Sequence, residues 1–386
     1  MIADTQVAVS GERLTVTYSL HAGPKDALAI AEKATTEQTI EFPPELIGDD
    51  GIRDHIFGRI ERFEAVEERL HHADISYAVE CSAFNLPQLF NLIYGNISLF
   101  PQMRVERFAL PQSLASVFKG PRFGIAGLRE TLAAPKGPLF MTALKPQGLP
   151  ANRLAAQAYE FARGGLDIVK DDHGLANQPF APFRERVAQC CDAVARANAE
   201  TGGNTVYAPM ISGPSEQIVE QAFWAKEQGA GALLIAPALI GFDVARRLAQ
   251  DDALGLPMIG HPAMMGSYVV SPTNGFSHYA MFGQVMRLVG MDVSIFPNFG
   301  GRFAFSPGEC RSIMAGCTDP MDHFASIVPS PGGGMTFENV PDMARFYGED
   351  VMYLMGGDLH KQAGTLEENC WKLRALANVP DGGEVR

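Results

Sequence analysis

The amino-acid sequence predicts a (β/α)8 TIM barrel preceded by a smaller α+β domain of ferredoxin-like type. From residue 139 onward, short apolar stretches alternate with helical patterns, and eight such strand–helix units fit into about 240 residues. Strands of this kind between helices are typical of a parallel sheet, and eight of them at this length favour a closed barrel. A doubly wound open sheet is the alternative, but the glycine-rich fingerprint expected after its first strand is missing.

The composition is that of a globular protein without a nucleic-acid partner. The chain has 386 residues, 46% hydrophobic and 19% charged, which is enough for a barrel and a small domain. The net charge of -13 and the lack of a basic run argue against nucleic-acid binding. No signal-peptide pattern or membrane-length apolar stretch is present, and the six cysteines lack metal-ligand spacing. We therefore expect a cytoplasmic protein with reduced thiols and no membrane partner.

Residues 1–135 are predicted to form the α+β domain, and residues 136–386 the barrel. A linker rich in glycine and proline, residues 120–138, joins the two. In the first domain the predicted elements are strands at 14–20 and 76–81, helices at 26–33 and 86–94, and an acidic segment at 60–70 whose alternation leaves its structure ambiguous. In the barrel the predicted strand–helix pairs are 139–145 with 153–163, 168 onward with 182–199, 206–211 with 216–228, 232–236 with 242–250, 258–261 with 276–289, 293–296 with 307–314, 326–329 with 340–347, and 351–354 with 366–375.

The densest group of polar side chains follows the second barrel strand, where an apolar run ends in Lys170, Asp171, Asp172 and His173. Such a run is typical of a buried parallel strand that delivers polar groups at its carboxyl end, where barrel active sites lie. Burying a lysine beside two carboxylates and an imidazole is costly unless a metal ion or a substrate compensates. Seen alone, the group is equally well explained as an ion pair that caps a strand.

Further polar residues and glycines follow the other barrel strands. They are Thr142, Lys145 and Gln147 after the first strand, His261 after the fifth, Arg302 after the sixth, Ser330, Gly332 and Gly333 after the seventh, and Gly356 and Gly357 after the eighth. Singly, each is a common structural feature. Glycine-rich loops after the last two strands, however, are where many barrels bind phosphate through free backbone N–H groups. Two such loops beside two lysines and a metal-like group favour an enzyme.

These residues suit the removal of a proton next to a carbonyl group. A divalent cation on Asp172 and its neighbours would polarise a substrate carbonyl and stabilise an enediolate. A lysine could act as the base if burial and nearby cations lower its pKa. Backbone amides would hold a phosphate. The residues alone therefore predict a barrel enzyme that enolises a small phosphorylated ketose or keto acid.

With these residues identified, the chain resembles the RuBisCO superfamily over nearly its whole length. The motifs that carry the resemblance are Lys145-Pro-x-Gly-Leu, Gly164-Gly165-x-Asp-x-x-Lys170-Asp-Asp172, Asn177-Gln178-Pro179-Phe180, His261, Ser330-x-Gly332-Gly333 and Gly356-Gly357. The resemblance implies that Lys170 carries a CO2-derived carbamate and binds Mg2+ together with Asp172 and His173. It also implies that Lys145 is the base or lies beside it.

The resemblance implies roles for the remaining residues as well. The implied catalytic residues are Lys145, Lys170, His261 and Arg302, and the implied substrate- and phosphate-binding residues are Thr142, Gln147, Ser330, Gly332, Gly333, Gly356 and Gly357. A homodimer, or a higher homo-oligomer of dimers, is implied. In it the amino-terminal domain of a second subunit completes the site with Glu32, Thr35 and Asn96.

Departures from the family pattern indicate a RuBisCO-like protein (form IV) rather than a carboxylase. His173 stands where the family has a second metal-binding carboxylate, which lowers the ligand charge and should weaken or reshape Mg2+ binding. Gln147 replaces a lysine, and Arg302 stands for the loop lysine that positions CO2. Pro262 and Ile295 replace two residues that hold the second phosphate of a bisphosphate, so we expect a monophosphate substrate.

We therefore expect an isomerase or lyase that does not fix CO2. It would abstract a proton alpha to the carbonyl of a phosphorylated ketose or keto sugar acid, give a Mg-stabilised enediolate, and isomerise it as a 5-methylthioribulose-1-phosphate isomerase does. Decarboxylation or C–C hydrolysis of a 3-oxo-isoapionate-4-phosphate type substrate and the 2,3-diketo-5-methylthiopentyl-1-phosphate enolase reaction remain alternatives. His173 also leaves open a binding homologue that has lost the metal, or a metal-free enzyme with His173 as general acid–base.

Overall fold

The computed structural model describes residues 9–377. Its strands, in chain order, are β1 Arg13–Leu20, β2 Arg59–Glu67, β3 Leu70–Ala78, β4 Met103–Ala109, β5 Leu139–Ala143, β6 Ile168–Lys170, β7 Val206–Ala208, β8 Leu233–Ile235, β9 Met258–Gly260, β10 Gly275–Phe276, β11 Val293–Pro297, β12 Val328–Gly332 and β13 Met352–Met355. Its α-helices are α1 Pro24–Glu37, α2 Leu86–Tyr94, α3 Gln112–Ala115, α4 Gly124–Thr131, α5 Ala151–Arg163, α6 Phe183–Thr201, α7 Ser215–Glu227, α8 Pro237–Ile240, α9 Phe242–Gln250, α10 Gly266–Val269, α11 Met286–Val289, α12 Pro307–Thr318, α13 Val340–Tyr347, α14 Gly357–Lys361 and α15 Leu366–Ala377.

The chain forms two compact units. Among the described residues, the first contains residues 9–119, Met264–Val285 and Asp319–Phe324, and the second contains Gly120–Ala263, Met286–Thr318 and residues 325–377. Two segments that follow barrel strands in sequence thus join the first unit. The segment that the sequence suggested as a linker contains α4, which belongs to the second unit. In the described part of the chain, no helix is both long and apolar enough to cross a membrane.

The first unit is built on a five-stranded sheet with the order β10-β4-β1-β3-β2. The central strand β1 runs antiparallel to β3 and β4, and its apolar residues Leu14, Val16, Tyr18 and Leu20 are fully buried. Helix α1 begins at Pro24, whose fixed φ suits the first helical turn. This is the small α+β domain that the sequence predicts.

The second unit is an eight-stranded parallel sheet with the order β7-β6-β5-β13-β12-β11-β9-β8. A parallel bridge between Met210, just after β7, and Leu234 in β8 joins the two ends of the sheet. Closure leaves no edge strand exposed, and strands covered on both sides are expected to be apolar throughout. The predicted TIM barrel is therefore confirmed, although several strands are shorter than predicted.

Helix α4 covers the amino-terminal end of the barrel. Its Leu128, together with Leu132 just after the helix, belongs to the same buried cluster as the barrel residues Leu139 and Val293. Asp292, one residue before β11, accepts hydrogen bonds from the backbone N–H groups of residues 123, 124 and 258 at 2.7–2.9 Å. This end of the barrel is therefore filled and hydrogen-bonded, which leaves the carboxyl ends of the strands for chemistry.

One predicted helix begins later than expected and is irregular. The sequence pattern predicts a helix over 276–289, whereas Gly275–Phe276 form the short strand β10 and the helix consists of a π-helical segment, Tyr279–Val285, that continues into α11. Gly275 has φ 98°, and a Cβ there would lie 2.0 Å from the carbonyl oxygen of Tyr268. The pairing of β10 with β4 is a contact between residues far apart in sequence, which local periodicity does not reveal.

Candidate active site at the carboxyl end of the barrel

Lys170 is the last residue of β6 and is 2% exposed. Its ammonium Nζ donates a hydrogen bond to the backbone oxygen of Asp171 at 3.1 Å. Burial, and then the charge of Lys145, lower the pKa of Lys170 to about 7, although Asp171 acts in the opposite direction. A substantial fraction of this amine is therefore neutral near physiological pH.

Lys145 follows β5, the neighbour of β6 in the barrel, and forms an ion pair with Asp172. The side chain of Gln157 in α5 holds the backbone of Lys145, accepting from its N–H at 3.2 Å and donating to its carbonyl at 2.6 Å. Burial and the nearby charge of Arg302 lower the pKa of Lys145. The two predicted lysines are thus brought to adjacent strand ends.

Asp172 is 7% exposed and connects several of the predicted residues. Its Oδ1 accepts a hydrogen bond from the N–H of Gly174 at 3.0 Å and lies 3.2 Å from Nδ1 of His173. Its Oδ2 faces Lys145. Because both oxygens have partners, the carboxylate is fixed in orientation.

The imidazole rings of His173 and His261 are stacked, with centroids 4.3 Å apart and planes 10° apart. The N–H of Ala263 donates to Nδ1 of His261 at 3.1 Å, so the neutral ring carries its proton on Nε2. Burial and then Lys170, His173 and Lys145 lower the pKa of His261 to about 2. Burial and the charges of Lys170, Lys145 and Arg302 also lower the pKa of His173. Both rings are neutral at physiological pH.

The loops that follow β11 and β12 pack backbone against backbone. A Cβ on Gly301 would lie 2.5 Å from the carbonyl oxygen of Gly333, and one on Gly334 would lie 2.3 Å from Cα of Gly301. Arg302 and Phe303 come directly after Gly301, and the guanidinium of Arg302 lies 5.0 Å from the centroid of the Phe303 ring. The charge of Arg302 lowers the pKa of both Lys145 and His173, which places Arg302 beside the lysine–histidine group.

Several backbone N–H groups in the predicted glycine loops are available to a ligand. Among residues 9–377, the amides of Gly334 and Gly356 donate no hydrogen bond within the protein, whereas the parallel pairing of Gly332 with Leu354 directs the amide of Gly333 toward the carbonyl of Leu354. Gly333 and Gly334 have φ values of 76° and 87°, which L side chains rarely adopt. Free amides in glycine loops of this kind can bind an anionic oxygen.

Other predicted residues have their polar atoms engaged or enclosed. The hydroxyl of Ser330 is buried in β12 and donates to the carbonyl of Met352 at 2.8 Å. The side-chain amide of Gln147 donates to the carbonyl of Gly174 at 3.2 Å. Thr142 is fully buried in β5, and within the described residues its hydroxyl has no hydrogen-bond partner.

The three residues expected to act across a subunit boundary lie in the first unit. Glu32 is exposed on α1. Thr35 is 4% exposed, and its hydroxyl donates to the carbonyl of Glu32 at 2.7 Å. The side-chain amide of Asn96 donates to Glu37 at 2.9 Å. Glu32 and Asn96 therefore present polar groups at the surface, whereas the Thr35 hydroxyl is used within its own helix.

The residues fit Mg2+ only together with a carbamate. Within the described chain, no three His, Cys, Asp or Glu side chains converge in a way that would hold a metal ion. Asp172 and His173 offer one carboxylate and one imidazole. Addition of CO2 to the neutral amine of Lys170 would supply a further anionic oxygen ligand, and hard cations such as Mg2+ prefer oxygen.

Sequence reasoning missed two groups that shape this site. Gln157 brackets Lys145, and its signal in the sequence was a polar residue on the otherwise apolar face of α5 that carries Leu154, Ala158 and Phe161. The backbone N–H of Ala263 fixes the tautomer of His261. A backbone contact of that kind leaves no signal in the residue types.

Comparisons with known proteins agree with the barrel fold. Residues 124–297 match the model of the ribulose bisphosphate carboxylase large chain, catalytic domain. Ribulose bisphosphate carboxylase-like protein 1 of Rhodopseudomonas palustris is 34% identical over 373 residues, covering 97% of this chain and 99% of that protein. The 5-methylthioribulose-1-phosphate isomerase of Rhodospirillum rubrum is 36% identical over 358 residues, covering 92% and 94%.

A solved structure agrees as well. The crystal structure of a Rubisco-like protein from Rhodopseudomonas palustris superposes with a TM-score of 0.86 at 34% identity, covering 96% of this chain and 99% of that one. The fold and these relatives define a barrel protein of the RuBisCO superfamily. Within that superfamily, the chain belongs to the RuBisCO-like proteins.

Proposed function

We propose that this protein enolises a ketose that carries one phosphate and then returns the proton to the neighbouring carbon, so that the net reaction is an isomerisation. The observation that carries the proposal is the meeting of Lys145, Lys170, Asp172 and the stacked His173 and His261 at one end of the barrel. The name of the Rhodospirillum rubrum relative supports 5-methylthioribulose-1-phosphate as the type of substrate.

Lys145 is the proposed base. Its lowered pKa increases the fraction of neutral amine, and two hydrogen bonds with Gln157 hold its backbone in place. A base acts best when its pKa is close to the working pH, because both protonation states are then accessible. After taking the proton from the carbon alpha to the carbonyl, the same amine returns it to the former carbonyl carbon, while the hydroxyl proton of the enediolate passes to the neighbouring oxygen.

The neutral histidines serve as hydrogen-bond partners rather than as acids. Nε2–H of His261 is a donor for a substrate oxygen, because Nδ1 already accepts from the backbone. Mg2+, when held by Asp172, His173 and carbamylated Lys170, supplies positive charge that stabilises an enediolate. The free amides of Gly334 and Gly356 and the charge of Arg302 would orient a single phosphate.

Deuterium exchange tests the proposal directly. Incubation of 5-methylthioribulose-1-phosphate with the protein in D2O containing Mg2+ and bicarbonate should replace the proton alpha to the carbonyl, seen as a lost 1H NMR signal. It should also give an isomerised product. Lys145→Ala should slow exchange by about a thousandfold, the range expected for loss of a general base. Lys170→Ala should abolish exchange, because the carbamate ligand is then absent.

Lys226→Ala is the matched control, because that lysine is exposed and only donates to the carbonyl of Ala253. It should exchange at the wild-type rate. A near-normal rate in either site variant would contradict the mechanism. Exchange confined to 2,3-diketo-5-methylthiopentyl-1-phosphate would instead assign the enolase reaction.

A further inference from the structure

A buried ion pair that the proposed chemistry does not use lies directly behind the site. Asp171, between Lys170 and Asp172, is 0% exposed, and its side chain points away from both neighbours, as alternation along an extended chain requires. Its carboxylate accepts from the hydroxyl of Tyr207 at 2.6 Å, from Nε of Arg186 at 3.1 Å and from the N–H of Met210 at 3.0 Å. The position of Asp171 is therefore fixed from three sides.

Arg186 in α6 also holds the chain on the far side of His173. Its side chain is 0% exposed, and its two remaining nitrogens donate to the carbonyl oxygens of Ala181 at 2.7 Å and Ala176 at 2.9 Å. One planar guanidinium thus connects the residue before Asp172 with the loop after His173. Only arginine has several donors in a fixed fork of this kind.

The loop in turn is connected to Asp172. The side-chain amide of Gln178 donates to the carbonyl of Gly174 at 2.7 Å, and the N–H of Gly174 donates to Oδ1 of Asp172 at 3.0 Å. A continuous series of hydrogen bonds therefore runs from Arg186 through residues 174–181 to the carboxylate of Asp172. Asp172 and His173 are held at both of their ends.

A buried ion pair of this kind is a weak device for stability, because desolvation offsets most of the attraction between the charges. Its fixed geometry suggests another role. We propose that Arg186 and Tyr207 are positioning residues that hold Asp172, His173 and Lys170 in the arrangement a divalent cation requires. This inference rests on the proposed function, since it assumes that these three residues bind the cation.

Tyr207→Phe tests the inference with the smallest change, because it removes one hydroxyl and keeps the ring. The measurements are Mg2+ affinity in bicarbonate buffer by isothermal titration, and carbamate formation on Lys170 by 13C NMR with labelled bicarbonate. We expect Mg2+ binding to weaken by about 10- to 100-fold, as is typical when a residue that orients a metal ligand is changed. Arg186→Lys keeps the charge but loses the fork, and we expect it to weaken Mg2+ binding at least as much.

Three control variants separate positioning from general stability. Tyr159→Phe removes a tyrosine hydroxyl that bonds Glu200 at the surface, and Arg184→Lys changes an exposed arginine on the same helix as Arg186. Val187→Ala opens a cavity at a fully buried neighbour of Arg186 and lowers the melting temperature without touching Asp171. All three should bind Mg2+ like the wild type.

The outcomes are distinguishable. If the wild type binds Mg2+ and Tyr207→Phe, folded by circular dichroism, binds it equally well, the inference is wrong and the proposed function stands. If Val187→Ala weakens binding as much as Tyr207→Phe, the network is merely structural and the inference is again wrong. If the wild type itself binds no Mg2+, the proposed function fails and the inference with it. Should Arg186→Lys not fold, Tyr207→Phe still decides.

Discussion

The two stacked histidines are the residues whose protonation is most constrained. Both face Lys170 and Lys145, so a proton on either ring would add a third positive charge to a half-buried cluster. We therefore predict that His261, whose pKa burial and these charges lower to about 2, stays neutral between about pH 5 and pH 8. Long-range 1H–15N spectra should show its Nε2–H tautomer throughout, with His261→Gln providing the assignment.

The same lowered pKa has a consequence for stability. A base whose pKa is depressed in the folded state binds its proton more readily when unfolded, so its contribution to stability is lost as pH falls below the unfolded value near 6.5. His261→Gln should therefore lose less stability than the wild type when urea unfolding is compared at about pH 7 and pH 5. Titration of His261 near pH 6.5 in the folded protein would contradict both expectations, and the urea-unfolded protein serves as reference.

How much of the site the sequence could predict depends on what each residue contributes. Lys145, Lys170 and Asp172 stand at strand ends, and strand order alone brings such positions to one rim. Ser330 was predicted on the same grounds and Thr35 from the family resemblance, but their hydroxyls bond to backbone carbonyls. The direction of a side chain depends on neighbours that are distant in sequence. The sequence therefore predicted where these residues lie in the barrel, but it did not predict which groups their side chains bond to.

At the scale of helices and strands, the pattern of apolar residues predicted the element bounds best where one regular apolar face packs against the core. The predicted helices at 86–94, 242–250 and 340–347 have those bounds in the structure. The sequence pattern did not predict strand β4, whose apolar residues Met103, Val105 and Phe108 are buried. The alternation of these residues is interrupted because the pairing with β1 shifts register between Thr17 and Tyr18. Local propensity does not encode such a bulge.

The contact between the loops after β11 and β12 gives a prediction at this scale. Gly334→Ala would place a Cβ 2.3 Å from Cα of Gly301, on a residue with φ 87°. The backbone at Gly301 or Gly334 would have to move to relieve this contact, and either movement would displace the free amide of Gly334. We expect KM for the phosphorylated substrate to rise about tenfold, or ~1.4 kcal/mol of binding.

Gly348→Ala is the matched control for this change. Gly348 has φ 75° and ψ -151°, a conformation that is essentially restricted to glycine, so alanine there strains the backbone, but its Cβ would meet no atom within 4 Å. It should therefore cost about 1 to 3 kcal/mol of stability and leave KM unchanged. Equal KM values for the two variants would show that the loop contact does not shape the substrate site.

For the molecule as a whole, the eight repeated strand–helix units were enough to predict the barrel, because a parallel sheet of that size closes in one way. The assignment of 264–285 to the first unit was beyond the sequence, since it depends on β10 pairing with β4. A pairing across 170 residues of chain follows from tertiary packing. The repeated strand–helix pattern therefore predicts the barrel architecture, but it does not predict that a segment between two barrel strands belongs to the first unit.

The largest-scale expectation concerns a second copy of the chain. If Asn96 of one subunit completes the site of the other, Asn96→Ala and Lys170→Ala should each be inactive as homodimers. A hybrid dimer of the two would place both defects in one site and leave the other site intact. Random reassociation of equal amounts should therefore restore about a quarter of wild-type deuterium exchange. Hybrids of Lys170→Ala with Lys145→Ala should restore none, because each site then keeps one defective barrel. Hybrid dimers that form yet stay inactive would place the complete site within a single chain, and full activity of Asn96→Ala alone would show that Asn96 is not part of the site.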